Sequence, residues 1–188
     1  MRRIATIVVA VIVGLLCLAA VGMLVLPRQV AVRRTIVIDA PAAAVWPLVS
    51  DLARYAEWAP WATIDPEGTR VTVDGPPAEA GQTMRWSSDH PNVGRGSVTI
   101  AAIAPEHTVE TVLTFGAAAT ATAGLSVTPD DGTSVVAWTF ATDLGVNPLA
   151  RLFGLKFETW AGRDYETGLA RLKALAEGGA AGDRVEPD

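Results

Sequence analysis

Few residues in this chain are equipped for chemistry. The two histidines, His90 and His107, both sit beside turn prolines, at Pro91 and Pro105, which places them on loops. A Ser-His-Asp triad would need one of them held on a rigid scaffold, and nothing around either suggests one. The only cysteine, Cys17, lies in an apolar run, so there is no internal disulfide and no thiolate in the folded part. No His, Cys, Asp or Glu spacing matches a metal site, and neither metal nor cofactor is expected. Gly94-x-Gly96 lacks both the Lys-Ser/Thr of a phosphate loop and the third glycine of a dinucleotide fingerprint. It reads as a flexible entry to a strand. Arg85, Glu158 and Arg163 are the charged groups available to a pocket mouth, with Glu158 the best acid or base among them; for each, a solvated surface position is the simpler reading.

Aromatic residues are the more informative set. Trp58, Trp61, Trp86, Trp138, Phe153, Phe157 and Trp160 could line an apolar ligand cavity, since such pockets are walled by aromatic and aliphatic side chains with few polar groups. Taken one at a time, each also fits ordinary core packing. Sequence alone leaves both readings open.

Composition narrows the class. The 188 residues suit one domain plus an appendage, and half are hydrophobic. The formal charge of −5 argues against a nucleic-acid partner. Mean hydropathy is +0.31, high for a soluble domain. The excess lies in Ile4 to Leu26, an uncharged run preceded by Arg2 and Arg3 and ended by Pro27 and Arg28. As a helix it would be about 35 Å long, enough to cross a bilayer, so residues 1–28 are expected to form a single transmembrane anchor. A cleaved signal peptide would have a shorter apolar core, and a lipoprotein would carry a small residue where Leu16 precedes Cys17. Arg2 and Arg3 favour an inside amino terminus and an extracytoplasmic domain, although Arg28, Arg33 and Arg34 pull the other way.

Beyond the anchor, hydrophobic periodicity predicts the elements. Thr35–Asp39 alternates as a strand. Ala42–Ser50 reads as a helix with Pro41 in its first turn and a kink or early end at Pro47. A second short helix follows from Asp51 and stops before Pro60. Strand patterns then recur over Arg70–Asp74, Thr83–Ser87, Gly96–Ala102, Thr108–Phe115, Ala119–Thr128 and Thr133–Thr142. Their short connections, including the turn Pro129-Asp130-Asp131-Gly132, require antiparallel pairing. From Asn147, a plausible cap, a 3.6-residue period runs to about Glu177 through Leu149, Leu152, Phe153, Phe157, Trp160, Tyr165, Leu169, Leu172 and Leu175. Gly154 could break this helix, and Gly162 and Gly168 could face something that needs room. Residues 179–188 are expected to be a disordered tail, leaving 33–178 as the domain. The expectation is an α+β fold: a curved antiparallel sheet wrapped around a long C-terminal helix.

In order and spacing, several segments resemble one family. Ile36-Val37-Ile38-Asp39-Ala40-Pro41-Ala42-Ala43-Ala44-Val45-Trp46, Trp58-Ala59-Pro60-Trp61, Gly94-Arg95-Gly96-Ser97 and Tyr165-Glu166-Thr167-Gly168-Leu169-Ala170-Arg171-Leu172-Lys173 look like the SRPBCC, or START-related helix-grip, superfamily. The match is to its small bacterial polyketide cyclase/dehydrase-like branch. The resemblance covers roughly Arg34 to Glu177. It implies a sheet gripping the last helix, with an apolar cavity between them that takes a lipid or another hydrophobic small molecule. The function expected on this basis is a membrane-anchored binding domain. The alternative is a cyclase- or dehydratase-like enzyme using an acid or base in the same cavity.

Overall fold

The computed structural model describes residues 2–60, 64–116 and 119–182. A helix, α1 (Arg2–Val25), leads into β1 (Gln29–Ile38). Two short helices follow, α2 (Ala42–Ser50) and α3 (Leu52–Trp58). Five strands come next: β2 (Arg70–Asp74), β3 (Thr83–Ser87), β4 (Arg95–Ala104), β5 (Thr108–Phe115) and β6 (Ala119–Asp130). The chain ends in β7 (Thr133–Asp143) and the long helix α4 (Pro148–Gly182). All seven strands form one antiparallel sheet, ordered β1-β7-β6-β5-β4-β3-β2. The helix-grip architecture expected from the sequence is what the chain adopts. The folded part begins at Gln29, before the expected Arg33, and α4 runs four residues past Gly178; residues 183–188 lie outside the described residues.

The transmembrane anchor expected over residues 1–28 is not shown by the structure. α1 is helical over 24 residues, but several of its side chains, among them Ala5, Ala19, Met23 and Leu24, are not described. Among the described residues no helix is long and apolar enough to cross a membrane.

Local chemistry accounts for the shape of the rest. β6 and β7 meet through Asp131 and Gly132, both at positive φ (42° and 85°), the geometry that matches the twist of a two-residue hairpin. Pro129 is therefore a strand residue, paired with Ser134, and not part of the turn itself. In β4 the pairing slips between Ile100 and Ala102. Beyond this bulge the pleat is inverted relative to Val98 and Ile100, so Ile103 packs against the core and Ala102 is exposed. α2 passes over Pro47 and ends three residues later, at Ser50. Asp51 is half-buried and caps α3: its Oδ1 accepts from Ala53 N–H (2.9 Å) and from Nε2 of Gln82 (2.7 Å). Gln82 is itself fully buried, and its Oε1 accepts from Leu52 N–H at 3.0 Å. This pair of side chains ties the start of α3 to the loop before β3.

Helix α4 starts at the expected cap, with Asn147 Oδ1 accepting from Leu149 N–H at 3.0 Å. It then lies along the concave face of the sheet without a break at Gly154. Gly154, Gly162 and Gly168 all face inward. A Cβ on Gly154 would meet Leu144 and Val30, on Gly162 the Arg34 guanidinium, and on Gly168 the Trp138 ring at 2.8 Å and Pro60 at 3.1 Å. Arg34 bridges the seam, with Nε 2.8 Å from Glu166 Oε1 and Nη2 3.2 Å from Glu158 Oε1. Further along, Lys173 Nζ donates to Val37 O (2.8 Å), and Glu177 Oε1 accepts from Asp39 N–H (2.8 Å).

The close approach at Gly168 makes a prediction with opposite signs at two glycines. Gly168→Ala should destabilise the full chain by about 1–3 kcal/mol through overpacking, even though Ala is the better helix former by up to ~1 kcal/mol. Gly178→Ala, where nothing lies within 4 Å, should be neutral or slightly stabilising. Urea unfolding in mild detergent, followed by circular dichroism, measures both.

Candidate functional site

The space between sheet and helices is built around Trp138. Its position in β7 points it inward, together with Val136 and Phe140, by the two-residue alternation of the strand. Tyr165 of α4 stacks on it, with ring centroids 3.8 Å apart and planes 12° apart. Trp58 meets it edge-on at 5.1 Å and Tyr55 at 5.9 Å; Tyr55 and Trp58 are themselves 4.8 Å apart. Trp58 is wholly buried, and its indole N–H donates to Leu48 O at 2.8 Å, so its polar atom is satisfied inside α2 and α3. These four rings form one aromatic cluster joining β7, α3 and α4.

What remains of the interior beside this cluster is small. It is walled by Val49, Leu52, Tyr55, Val98, Val109, Thr111, Leu125 and Trp138 and holds about 10 Å³, room for about one water molecule. None of the described residues lining it is Asp, Glu, His, Lys or Arg. The larger concavity of about 770 Å³ lies elsewhere, as an open trough on the back of the sheet. Its floor is the outward set of small residues, including Ala31, Thr122, Gly124, Ser126, Thr139 and Ala141, with Arg33 and Glu110 at the sides. It reads as solvated sheet surface whose short side chains leave a hollow.

The aromatic residues singled out in the sequence fall into separate places. Trp58 and Trp138 belong to the central cluster. Trp86 lies apart, over Gly96 and 6.0 Å from Phe115, with its indole N–H donating to Val93 O at 3.3 Å. Phe157 is half-buried on the inner face of α4, 5.3 Å from Phe140. Phe153 and Trp160 are on the outer face, 69% and 52% exposed, with their rings 6.2 Å apart. Trp61 lies outside the described residues. Tyr55, Phe140 and Tyr165 complete the interior, although the sequence alone does not single them out for it. Tyr165 stands within the helical period and Tyr55 in the tryptophan-rich segment, which is the signal that could have found them.

The charged candidates point away from this space. Glu158 is exposed and paired with Arg34, and Arg85 is paired with Asp74 on the surface. Arg163 is exposed. His90 sits in a turn, where its Nδ1 accepts from Asn92 N–H at 3.2 Å, and His107 is exposed at the β4–β5 turn. Among the described residues there is no group of three or more His, Cys, Asp or Glu able to hold a metal.

Residues 29–177 match the family described as "Polyketide cyclase / dehydrase and lipid transport". The chain belongs to this family. Solved structures with the same fold include an aromatase/cyclase from Streptomyces sp. R1128, at 17% identity and TM-score 0.57, covering 79% of this chain and 94% of that one. A truncated norcoclaurine synthase from Thalictrum flavum matches at 11% identity and TM-score 0.60, covering 78% and 92%. A Chromobacterium violaceum protein matches at 17% identity and TM-score 0.57, covering 79% and 98%. At these identities the likeness is one of fold. No curated protein sequence shows significant similarity to the chain.

Burial also governs the two tyrosines, the only ones in the chain. Desolvation pushes both phenols well above their usual range, and the charge of Asp164 adds to the shift at Tyr165. Their neutral forms are the ones that fit the folded state. Stability is therefore complete below the ordinary phenol pKa of about 10 and falls as pH rises above it, because the unfolded chain ionises first. An alkaline titration should show no early tyrosinate absorbance at 295 nm, then a single rise that coincides with loss of circular dichroism. A rise that precedes unfolding would place at least one phenol in contact with solvent.

Proposed function

We propose that this domain binds a hydrophobic molecule between sheet and helices, and that α1 tethers it to a membrane. The observation that carries the reading is the lining of the interior: aromatic and aliphatic side chains, one threonine, one neutral phenol, and no ionisable acid or base of the usual catalytic kinds. General acid–base chemistry needs such a group within hydrogen-bond reach of the substrate. A cyclase- or dehydratase-like reaction in this space would have only the Tyr55 phenol to draw on, and Glu158, the best candidate from the sequence, is engaged with Arg34 at the surface.

In the closed state about 10 Å³ is available, against several hundred for a typical small-molecule pocket. Loading therefore requires an element to move. The stretch of α4 between Arg151 and Tyr165 is suited to this, because it is held to the sheet by the Arg34 ion pairs, by close backbone approach at Gly154 and Gly162 and by Phe157 against Phe140. Tethering is supported by the sequence of α1, uncharged from Ile4 to Leu26, and by the exposure of its described apolar side chains. In this reading Arg2 and Arg3 hold the short amino-terminal end inside and the domain lies outside.

The test uses the full chain in phosphatidylcholine nanodiscs and a dansyl-labelled long-chain fatty acid, with empty discs setting the partition background. The expected result is saturable tryptophan-to-dansyl energy transfer that unlabelled oleate competes away. Transfer no different from partition into empty discs, together with no hydrophobic molecule retained on native mass spectrometry, would overturn the binding reading in favour of a permanently packed core.

A further inference from the structure

The outer face of α4 carries apolar residues that the fold does not use. Leu149, Leu152, Phe153 and Trp160 are 71%, 56%, 69% and 52% exposed. Spacings of three, four and eleven residues from Leu149 put them on one side of the helix, opposite the inward Arg151, Gly154, Gly162 and Tyr165. Val146, in the turn before the helix, extends the patch. Lys156 and Arg163 lie along the same side and are exposed. Single exposed apolar residues need no explanation, but a contiguous stripe of Leu, Phe and Trp does.

The position of the stripe limits what can cover it. Its first turn touches the end of α1: a Cβ on Gly22 would lie 3.5 Å from the Pro148 Cβ. Arg151 fixes the junction, with Nη2 donating to Gly145 O (2.7 Å) and Nη1 to Leu26 O (3.4 Å), and Leu144 N–H donates to Arg28 O at 2.8 Å. The chain passes from α1 into β1 within three residues, so there is no long flexible tether. Gly22 is four residues, about 6 Å of helix, from the end of the uncharged run. If α1 enters a bilayer, the start of α4 sits at the level where hydrocarbon gives way to headgroups.

We infer that this outer face of α4 rests in the interfacial layer of the same bilayer, so that the domain docks on a lipid surface instead of hanging from it. The inference rests on the tethering part of the proposed function and is independent of whether the interior binds a ligand. The chemistry suits the position: Leu149, Leu152 and Phe153 enter the acyl boundary, Trp160 takes the headgroup level where indole rings concentrate, and Lys156 and Arg163 extend toward lipid phosphates. Because α4 is also the helix that closes the interior, docking would place the closing element against a hydrophobic source.

Spin labels on the full chain in phosphatidylcholine–phosphatidylglycerol vesicles test this. One label on native Cys17 reports α1. A second, at Phe153→Cys in a Cys17→Ser background, reports the stripe, and Leu149→Cys repeats the measurement at a neighbouring position. All three sites are exposed, so labelling leaves the core intact. The expected result is a label at 153 that collides more with oxygen than with a water-soluble nickel chelate, at a shallower depth than the Cys17 label. A Cys17 label in hydrocarbon with both stripe labels fully open to the nickel chelate would overturn docking while leaving the tether. Both regions open to the chelate would remove tether and docking together. Stripe labels shielded from both reagents, with dipolar broadening that grows with protein density, would assign the face to a second copy of the chain and overturn the lipid assignment.

Discussion

Helix α4 lies on the sheet because three of its inward residues have no side chain. At Gly154, Gly162 and Gly168 even one carbon would meet Leu144, Arg34 and Trp138 respectively. Each glycine is unfavourable in a helix interior, by up to ~1 kcal/mol. What offsets this is the contact that close approach permits. With the helix backbone drawn down at Gly168, Tyr165 can stack flat on Trp138, and Trp138 can receive the edges of Trp58 and Tyr55. Leu169 and Leu172 then seal the same side. The aromatic cluster, the closed interior and the raised phenol pKa values all follow from that one geometric permission.

Much of this architecture is legible in the amino-acid sequence. Strand alternation and short turns imply an antiparallel sheet, and the return to a 3.6-residue period implies α4, with Asn147 at its start. Three features are not legible, each for a physical reason. The bulge in β4 depends on cross-strand pairing, and a period-two pattern read along one strand carries no information about it. The role of Asp51 depends on Gln82, thirty-one positions away, and neither residue is unusual alone. The third concerns α4 itself: a helix with apolar residues on two faces gives one long periodic series, and periodicity cannot say which members face the sheet. Phe157 and Tyr165 do; Phe153 and Trp160 face outward. The glycines would have decided the question, since they mark the face that must approach most closely.

The candidate site is legible in type but not in state. The sequence points to an aromatic-lined interior, and its family places that interior between sheet and last helix. Whether such a space is open depends on side-chain volumes summed across elements distant in sequence, which no local pattern encodes. Here Tyr55 from α3, Trp138 from β7 and Tyr165 from α4 fill what smaller residues would leave empty. The result is a packed core in the place where a cavity is expected.

A packed core of this kind constrains how a ligand can enter. Core aromatic clusters are close-packed and do not dilate by small amounts, so space is made by moving a whole element and not by breathing of side chains. The elements are not equally free to move. β6 and β7 are paired from Thr122–Ala141 to Asp130–Thr133, and α3 is tied by Asp51 and Gln82. The far end of α4 is held by Lys173 and Glu177. Its start is fixed by Arg151, but between there and Tyr165 it is held by Phe157 against Phe140 and by ion pairs around Arg34, the latter a kind of contact that is weak in water and screened by salt. Movement would therefore concentrate in the stretch of α4 between Arg151 and Tyr165, which also carries Leu152, Phe153 and Trp160 of the exposed apolar stripe. An environment that solvates that stripe as it swings outward lowers the cost of opening, and water does the reverse. Opening and apolar surroundings would thus be thermodynamically linked through one helix.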